Sequence, residues 1–554
     1  MTESAAESAA SAANDPFLRY DARVLDPATA VRLPGGPPPS STVYRGDTLL
    51  FTARSRAQVE RLVAAVAELA AALELRVAGP DAFTEIEDAS PEIEGADGEQ
   101  DRRRIAGSPG VPAHNKLARL LGLAEQAGVP LVVPIRFESS REGPAPAVDV
   151  WPLLQALRAG DDAELPPAVG LDHLMFSAAT ISGNPFSRGM ALIGGDPFSR
   201  GMAAIGGDPF TRGMSSGVNQ YLAGGSGGHG PVSVVLAPPQ RTAGSCRPHV
   251  VVLDTGVGGH PWFVAHPVQR RLVLDNGDSI GMDVDDPAVI ATDPEAHGSV
   301  PDKLTGLLAT HAGHGTFISG LLRQTCPDAD ITSLRIMDGD GVVAEDELAE
   351  ALMGLGVRLD QNAGSIDALV LSLGYYVESG EDGPYTAGLK HLLLELAARG
   401  VITFAAAGND CTDRRSYPAA FADALEFTTV GALPLLAVAA LNPDRSVALF
   451  SNDAKWVNGD AAGANVVSTA PVLASGGWSA DTSFSGPNGK LRGTIDADHF
   501  SSGFATWSGT SFAAPVLAGR YLARLVRENC PVGADRRKAL VPPREKAAGQ
   551  EQCR

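Results

Sequence analysis

Three polar residues of this 554-residue chain sit where apolar runs end or begin, in an arrangement that could build a nucleophilic centre. Asp254 closes the run VVVL in VVVLDTGVGGHPWF, and the Thr and Gly that follow suit a turn. His314 stands in HAGHGTFISGLL at the head of a stretch with helical periodicity, with Gly315 beside it to permit close approach. Ser511, in SGTSFAAPVLAGRYLARLV, opens another such stretch, where Pro515 is expected in the first turn. A hydroxyl attacks only when a neighbouring base takes its proton. An imidazole base in turn needs an acid to fix its tautomer and stabilise its cation. Singly, each residue has a duller role: a turn-forming Asp, a structural His, a helix-capping Ser. Jointly they supply every part that a hydroxyl nucleophile needs.

Those residues require a scaffold that brings them together. Between about 248 and 530, HVVVLD, ITSLRIM, DALVLSLG, VITFAAAG and FTTVGAL alternate with helical stretches such as EDELAEALMGLGVRL and AGLKHLLLELAARG. Near-continuous apolar strands separated by helices predict a parallel sheet covered on both faces, with reactive side chains at the carboxyl ends of its strands. The chain divides accordingly. Residues 1–41 are Ala/Ser/Pro-rich and read as disordered. Over 42–180, DTLLFTAR, ELRVAG and VPLVVPIRF read as strands. SRAQVERLVAAVAELAAAL (opened by Ser55), HNKLARLLGLAEQAG and a segment near Val150 to Arg158 read as helices, giving a small α/β domain. Residues 181–245 hold GNPFSRGMALIG, GDPFSRGMAAIG and GDPFTRGM at a period of 12, then GGSGGHG. This is linker composition, with three Arg–Gly bonds as candidate processing points. The domain expected to carry the chemistry spans 246–530, and 531–554 reads as a charged, disordered tail.

Composition narrows the partners. Apolar residues make up 44%, enough for a large core, while 44 Lys+Arg against 65 Asp+Glu leave a net charge of −21. That balance argues against nucleic acid or an anionic membrane as the main partner. There is no apolar run of spanning length, and MTESAAESAASAANDPF lacks the basic-then-apolar order of a secretory signal. Cys246, Cys326, Cys411, Cys530 and Cys553 are few and far apart, which predicts neither a disulfide framework nor a metal site. The expected compartment is the reducing cytoplasm.

The DTG around Asp254, the HGT around His314 and the GTSFAAP around Ser511 resemble the motifs of the subtilisin-like serine peptidases, the subtilases. Their order and their separations of 60 and 197 residues fit as well, over about 248–530. The resemblance implies an α/β, subtilisin-like three-layer domain with a mostly parallel sheet, and serine endopeptidase chemistry on a protein or peptide substrate. In that chemistry Ser511 is the nucleophile, His314 the base and Asp254 its orienting acid. It further implies that Asn409, in AAAGND, donates to the oxyanion together with the Ser511 backbone N–H. Ser372, Leu373 and Gly374 would form the edge along which an extended substrate pairs. No cofactor is required by such chemistry. Calcium is frequent in the family, and Asp275, Asp278, Asp283, Asp285, Asp286 and Asp293 cluster between the triad's Asp and His. Their spacing lacks a defined loop pattern and reads as a solvated acidic loop, so no metal ligand is assigned. The sequence departs from the family at Tyr375 and Tyr376, where small residues are common, and at AAG (461–463) in place of APG. Ser475 to Trp507 reads as an insertion that would form a lid or pocket wall.

Subtilases commonly carry an N-terminal inhibitory domain of ferredoxin-like β-α-β-β-α-β form, which the 42–140 pattern partly resembles. About a hundred residues separate that pattern from the peptidase region. The sequence therefore favours a regulatory or partner-recognition domain, with inhibition by a tethered segment as a further expectation. The competing reading is a catalytically silent subtilase-like scaffold that captures a peptide without cutting it; three intact motifs disfavour it.

Overall fold

Two sheets organise the chain. The computed structural model describes residues 16–32, 38–78, 113–141, 147–160, 168–177, 221, 228–234, 237–298, 306–379, 387–428, 434–472, 475–477 and 479–530. The PFSRGM-type repeats and the tail from 531 lie outside the described residues.

The N-terminal unit starts with β1 (Ala22–Leu25), β2 (Thr42–Ala53), α1 (Arg56–Ala72) and β3 (Leu75–Val77). It continues with α2 (Ala113–Ala127), β4 (Leu131–Ser139), α3 (Trp151–Ala159) and β5 (Val169–Ser177). Ser55 caps α1 as expected, accepting from the Gln58 N–H. Strands run β5-β2-β4-β3, antiparallel throughout, with β1 on the outer part of β2. β5 has no counterpart in the sequence reading. Its run VGLDHLMFS carries Asp172 and His173, which suggests a solvated loop, yet both are buried.

The C-terminal unit holds a six-stranded parallel sheet. Its strands are β6 (His249–Asp254), β7 (Asp330–Arg335), β9 (Ala368–Leu371), β11 (Ile402–Ala406), β13 (Leu435–Leu441) and β14 (Gly459–Ala462), in the order β14-β13-β11-β9-β6-β7. Both faces are covered. Along β6, Val250 and Val252 pack with the residues of α4 (His314–Thr325) and α7 (Thr510–Arg527). Val251 and Leu253 point the other way, toward α5 (Glu345–Gln361) and α6 (Ala387–Ala398). Each such side chain contributes about 1.5–3 kcal/mol on burial, which explains the unbroken apolar runs. One strand differs from expectation. Phe427 and Thr428 belong to a short helix, Leu425–Thr428, and the strand is the apolar run LLAVAAL that follows Pro434.

The two units share a second sheet. The final four residues of β5 lie between β8 (Val342–Ala344) and β10 (Leu373–Tyr376), antiparallel to both. β5 thus joins the N-terminal unit to the C-terminal one by direct strand pairing. The insertion before Ser511 forms an exposed hairpin, Ser483–Ser485 with Leu491–Gly493. It then returns as Phe504–Trp507 beneath α4. Among the described residues no helix is long and apolar enough to cross a membrane.

Cys246, just before β6, is disulfide-bonded to Cys530, just after α7, with a Cα–Cα distance of 6.1 Å. The cysteine count alone gave no hint of this staple. It closes 284 residues of sequence, and removing such a link typically costs about 2–5 kcal/mol. Reductant should lower the thermal midpoint of the wild type to that of Cys530→Ser, and should leave the variant's midpoint unmoved.

Candidate active site

The carboxyl end of β6 and the first turns of α4 and α7 converge. Asp254 ends its strand, His314 begins its helix and Ser511 is the second residue of its helix; each is fully buried. A Cβ added at Gly315 would overlap the Gly256 carbonyl oxygen, so α4 meets the turn after β6 backbone to backbone. That contact sets His314 Nδ1 2.7 Å from Asp254 Oδ1. The carboxylate only accepts, so Nδ1 carries the proton and Nε2 is the acceptor. The His314 ring also lies 5.3 Å from the ring of Phe512, the neighbour of Ser511, and 5.3 Å from that of Trp507.

Ser511 is tied to the strand-edge segment. Pro515 lies in the second turn of α7, one turn later than the sequence suggested, and cannot donate to the Ser511 carbonyl. The Ser372 hydroxyl fills that gap, donating to Ser511 O at 2.8 Å, while Ser511 Oγ donates to Ser372 O at 3.1 Å. Asn409 is buried beside them. Its Oδ1 accepts from the Thr510 N–H and the Thr510 hydroxyl, each at 2.9 Å, which turns the NH2 end away from Thr510. Asn452, in the FSND turn, braces the same loop by accepting from Asp410 and Thr412 and donating to Ala407 O and Tyr376 Oη.

The acceptor face of His314 is occupied from an unexpected direction. Ser177 Oγ, at the end of β5, lies 3.1 Å from Nε2 and donates to it. The Ser177 N–H bonds Gly341 O at 2.7 Å, Leu373 pairs with Ser177, and Gly374 pairs with Phe176. The edge Ser372–Leu373–Gly374 is thus already paired with an extended strand of the same chain. Gly374 is required there on its other side too, since a Cβ would press on Ser416 Oγ at 2.7 Å.

Buried charges anchor that strand. His173 Nδ1 lies 2.8 Å from Glu345 Oε2 and Nε2 lies 2.9 Å from Glu378 Oε2. Both ring nitrogens face acceptors, so the ring is an imidazolium, and its carboxylate partners raise its pKa to about 9 against the cost of burial. Glu378 is held well below the usual carboxylate range by His173 and by Arg158 at 2.5 Å, which outweigh its burial. Tyr375 packs its ring, tilted, 4.6 Å from that of His173 and donates to Glu345, and Tyr376 donates to Asp410. Of the two tyrosines that break the family pattern, Tyr375 therefore lines the seat of β5, while Tyr376 bonds Asp410 and Asn452.

A family model described as the subtilase family matches residues 247–531, just over half of the chain. The chain belongs to the subtilase family. It is 28% identical to a subtilisin of Bacillus sp. (strain TA39) over 50% of this chain and 56% of that protein. It is also 25% identical to an intracellular serine protease of Paenibacillus polymyxa, over 49% of this chain and 64% of that one. The chain thus spans less than two thirds of these relatives' lengths. Among solved structures, fervidolysin from Fervidobacterium pennivorans, a keratinolytic enzyme related to subtilisin, is 16% identical with a TM-score of 0.41, over 88% of this chain and 55% of that one.

In this subtilase Asp254 and His314 are hydrogen-bonded to each other, whereas Ser511 Oγ bonds Ser372 O and the His314 Nε2 contact is made by Ser177; three aspartates of the acidic loop are engaged elsewhere. Asp285 pairs with Arg271, Asp293 with Arg270, and Asp286 caps a short helix. Among the described residues no group of three or more His, Cys, Asp or Glu side chains could hold a metal. Sequence reasoning missed Ser177, His173, Glu345 and Glu378. None stands in a motif, and only the imbalance of acid residues hinted that carboxylates needed partners. Because His173 has a raised pKa, its contribution is full below about pH 6.5 and is lost as pH rises through about 9. The thermal midpoint of the full chain should exceed that of His173→Gln at pH 6, by an amount reflecting about 1.4 kcal/mol per pKa unit. The gap should close by pH 9.5; a gap independent of pH would refute the imidazolium.

Proposed function

We propose that this subtilase is a serine endopeptidase kept latent by its own N-terminal unit. The single observation that carries the reading is the buried Asp254–His314 hydrogen bond, with the ring of Phe512, the neighbour of Ser511, 5.3 Å from the His314 ring. Ser511 Oγ attacks a peptide carbonyl and His314 Nε2 takes its proton. Asp254 stabilises the resulting imidazolium, which then protonates the leaving amine. The Asn409 amide and the Ser511 N–H receive the oxyanion. Loss of one such donor costs ~10²–10³ in kcat, a magnitude established on a bacterial subtilisin rather than derived from this chain. Water then hydrolyses the acyl-enzyme. A silent scaffold would have no use for a carboxylate buried against the imidazole, where it is costly to keep.

Latency is supported by the ladder that β5 makes with β8 and β10, along the edge where a substrate would add as a strand. It is supported too by Ser177 on the nitrogen that must accept the Ser511 proton. The N-terminal strand order β5-β2-β4-β3, with helices between its strands, supports a ferredoxin-like arrangement enlarged by α2. The substrate is then any extended polypeptide able to displace β5, and the N-terminal unit is the regulatory element.

The test uses a fluorophosphonate probe on the full chain. Wild type should label slowly, and Met175→Asp, which puts a charge at a fully buried site of β5, should label at least ~10-fold faster by exposing the groove. Met175→Asp with Ser511→Ala should not label. Labelling that survives Ser511→Ala overturns the nucleophile, whereas equal rates for wild type and Met175→Asp overturn latency alone.

A further inference from the structure

A second buried carboxyl group lies directly behind the Asp254–His314 pair. Glu295, in the turn that precedes the loop to α4, is 2% exposed. Its Oε1 lies 2.5 Å from Thr255 Oγ1 and 3.2 Å from the Gly315 N–H, and its Oε2 accepts from the Thr316 hydroxyl. Thr255 Oγ1 is also 3.1 Å from Asp254 Oδ1 and accepts from the Gly315 N–H at 2.9 Å. One threonine hydroxyl thus stands between two carboxyl groups, and it has a single proton to give.

Counting protons decides the state of the group. If both acids were ionised, one of the two contacts to Thr255 Oγ1 would set a lone pair against a carboxylate oxygen with no hydrogen between them. A proton on Glu295 Oε1 removes the conflict. Glu295 then donates to Thr255, and Thr255 donates to Asp254. Thr316, itself accepting from the Gly258 N–H at 2.7 Å, donates to Glu295 Oε2. Every short contact then holds one hydrogen. The bond to Asp254 matters because its Oδ1 collects the Thr255 N–H, the Thr255 hydroxyl and His314 Nδ1. Oδ2, by contrast, is buried with no partner among the described residues.

We propose that Glu295 is a neutral carboxylic acid that acts as a positioning residue, using its proton to aim the Thr255 hydroxyl at Asp254 and so hold Asp254 aligned on His314. The surroundings agree. Burial pushes the Glu295 pKa up to about 8, against the lowering effect of the two threonine hydroxyls, and Asp293 and Asp254 push it further upward. Among the described residues no cation pairs with Glu295: Asp293 is itself paired with Arg270, Arg335 sends its guanidinium to Val289, Thr292 and Asp338, and the His314 ring faces Asp254. The DTG threonine and the HGT threonine thus share one acid that lies outside either motif.

The proposal rests on the serine peptidase reading for its kinetic consequence and on geometry alone for the protonation state, so two measurements separate them. Infrared difference spectra of the full chain at pH 6.5, wild type minus Glu295→Gln, should show the carbonyl stretch of a protonated carboxylic acid; its absence overturns the proposal whatever the activity. In the latency-relieved Met175→Asp background, Glu295→Gln keeps a donor toward Thr255. It should retain labelling of Ser511 within about 3-fold at pH 7 and lose the alkaline decline near pH 8. Glu295→Ala should label about 10–100-fold more slowly, the rate equivalent of one hydrogen bond to a charged group. Glu295→Gln as slow as Glu295→Ala, or a pH profile identical to that of the unsubstituted background, overturns the positioning role. Labelling absent from every variant, with the infrared band present, would reject the peptidase reading and leave the neutral acid standing.

Discussion

The meeting of Gly315 with the Gly256 carbonyl is the constraint from which the site follows. No side chain fits between these two backbones, so the helix that starts at His314 is pinned to the turn that follows Asp254. A gap of even 1 Å there would stretch the 2.7 Å bond between imidazole and carboxylate out of range. The same contact delivers the Gly315 N–H to Thr255 and puts Thr316 over Glu295. Two short sequence motifs thereby become a single polar cluster. On the far side Pro515 performs a related service by omission. The hydrogen it lacks leaves the Ser511 carbonyl to Ser372, so the helix of Ser511 is stitched to the Ser372–Gly374 segment by the helix's own defect.

Charge tells a second story. The net charge of −21 suggests a chain that merely repels nucleic acid, but the carboxylates are not evenly spent on solvent. Asp338 and Asp340 receive Arg19, Asp346 receives Arg45, Glu350 receives Arg119, and Glu345 and Glu378 receive His173 and Arg158. In each pair the cation belongs to the N-terminal unit and the acid to the C-terminal one. The interface is therefore complementary in sign, which steers docking and penalises misregistered strands.

The parallel sheet and the three motif-bearing residues were legible because their signals are local. Apolar runs such as HVVVLD report burial on both faces, and DTG, HGT and GTSFAAP report tight turns that only particular residues can make. β5 was illegible for the opposite reason. Asp172 and His173 break its apolar pattern, and their burial makes sense only once Arg45, Glu345 and Glu378 arrive from residues over a hundred positions away. The disulfide and Glu295 were hidden likewise, because each depends on a pairing between segments that nothing local specifies. The strand misassigned to FTTVGAL shows the smaller error of reading an apolar run one element too early, when Pro434 marks where extension begins.

The backbone ladder and the buried charges divide the labour of holding β5. On the proposed reading, in which an extended peptide replaces β5, the ladder would offer that peptide the same partners on β8 and β10, so main-chain bonding scarcely distinguishes the internal strand from a competitor. The side-chain network does. Displacing β5 withdraws an imidazolium from two carboxylates and a guanidinium from one of them. Leaving buried acids unpaired is costly, about 3–5 kcal/mol for a single broken pair. The cost falls once water reaches the vacated groove and rehydrates Glu345 and Glu378. The barrier to exchange thus lies in the first opening of the seat rather than in the affinity of the edge. On the latent-peptidase reading proposed above, access to His314 is governed from His173, through side chains that belong to no catalytic motif.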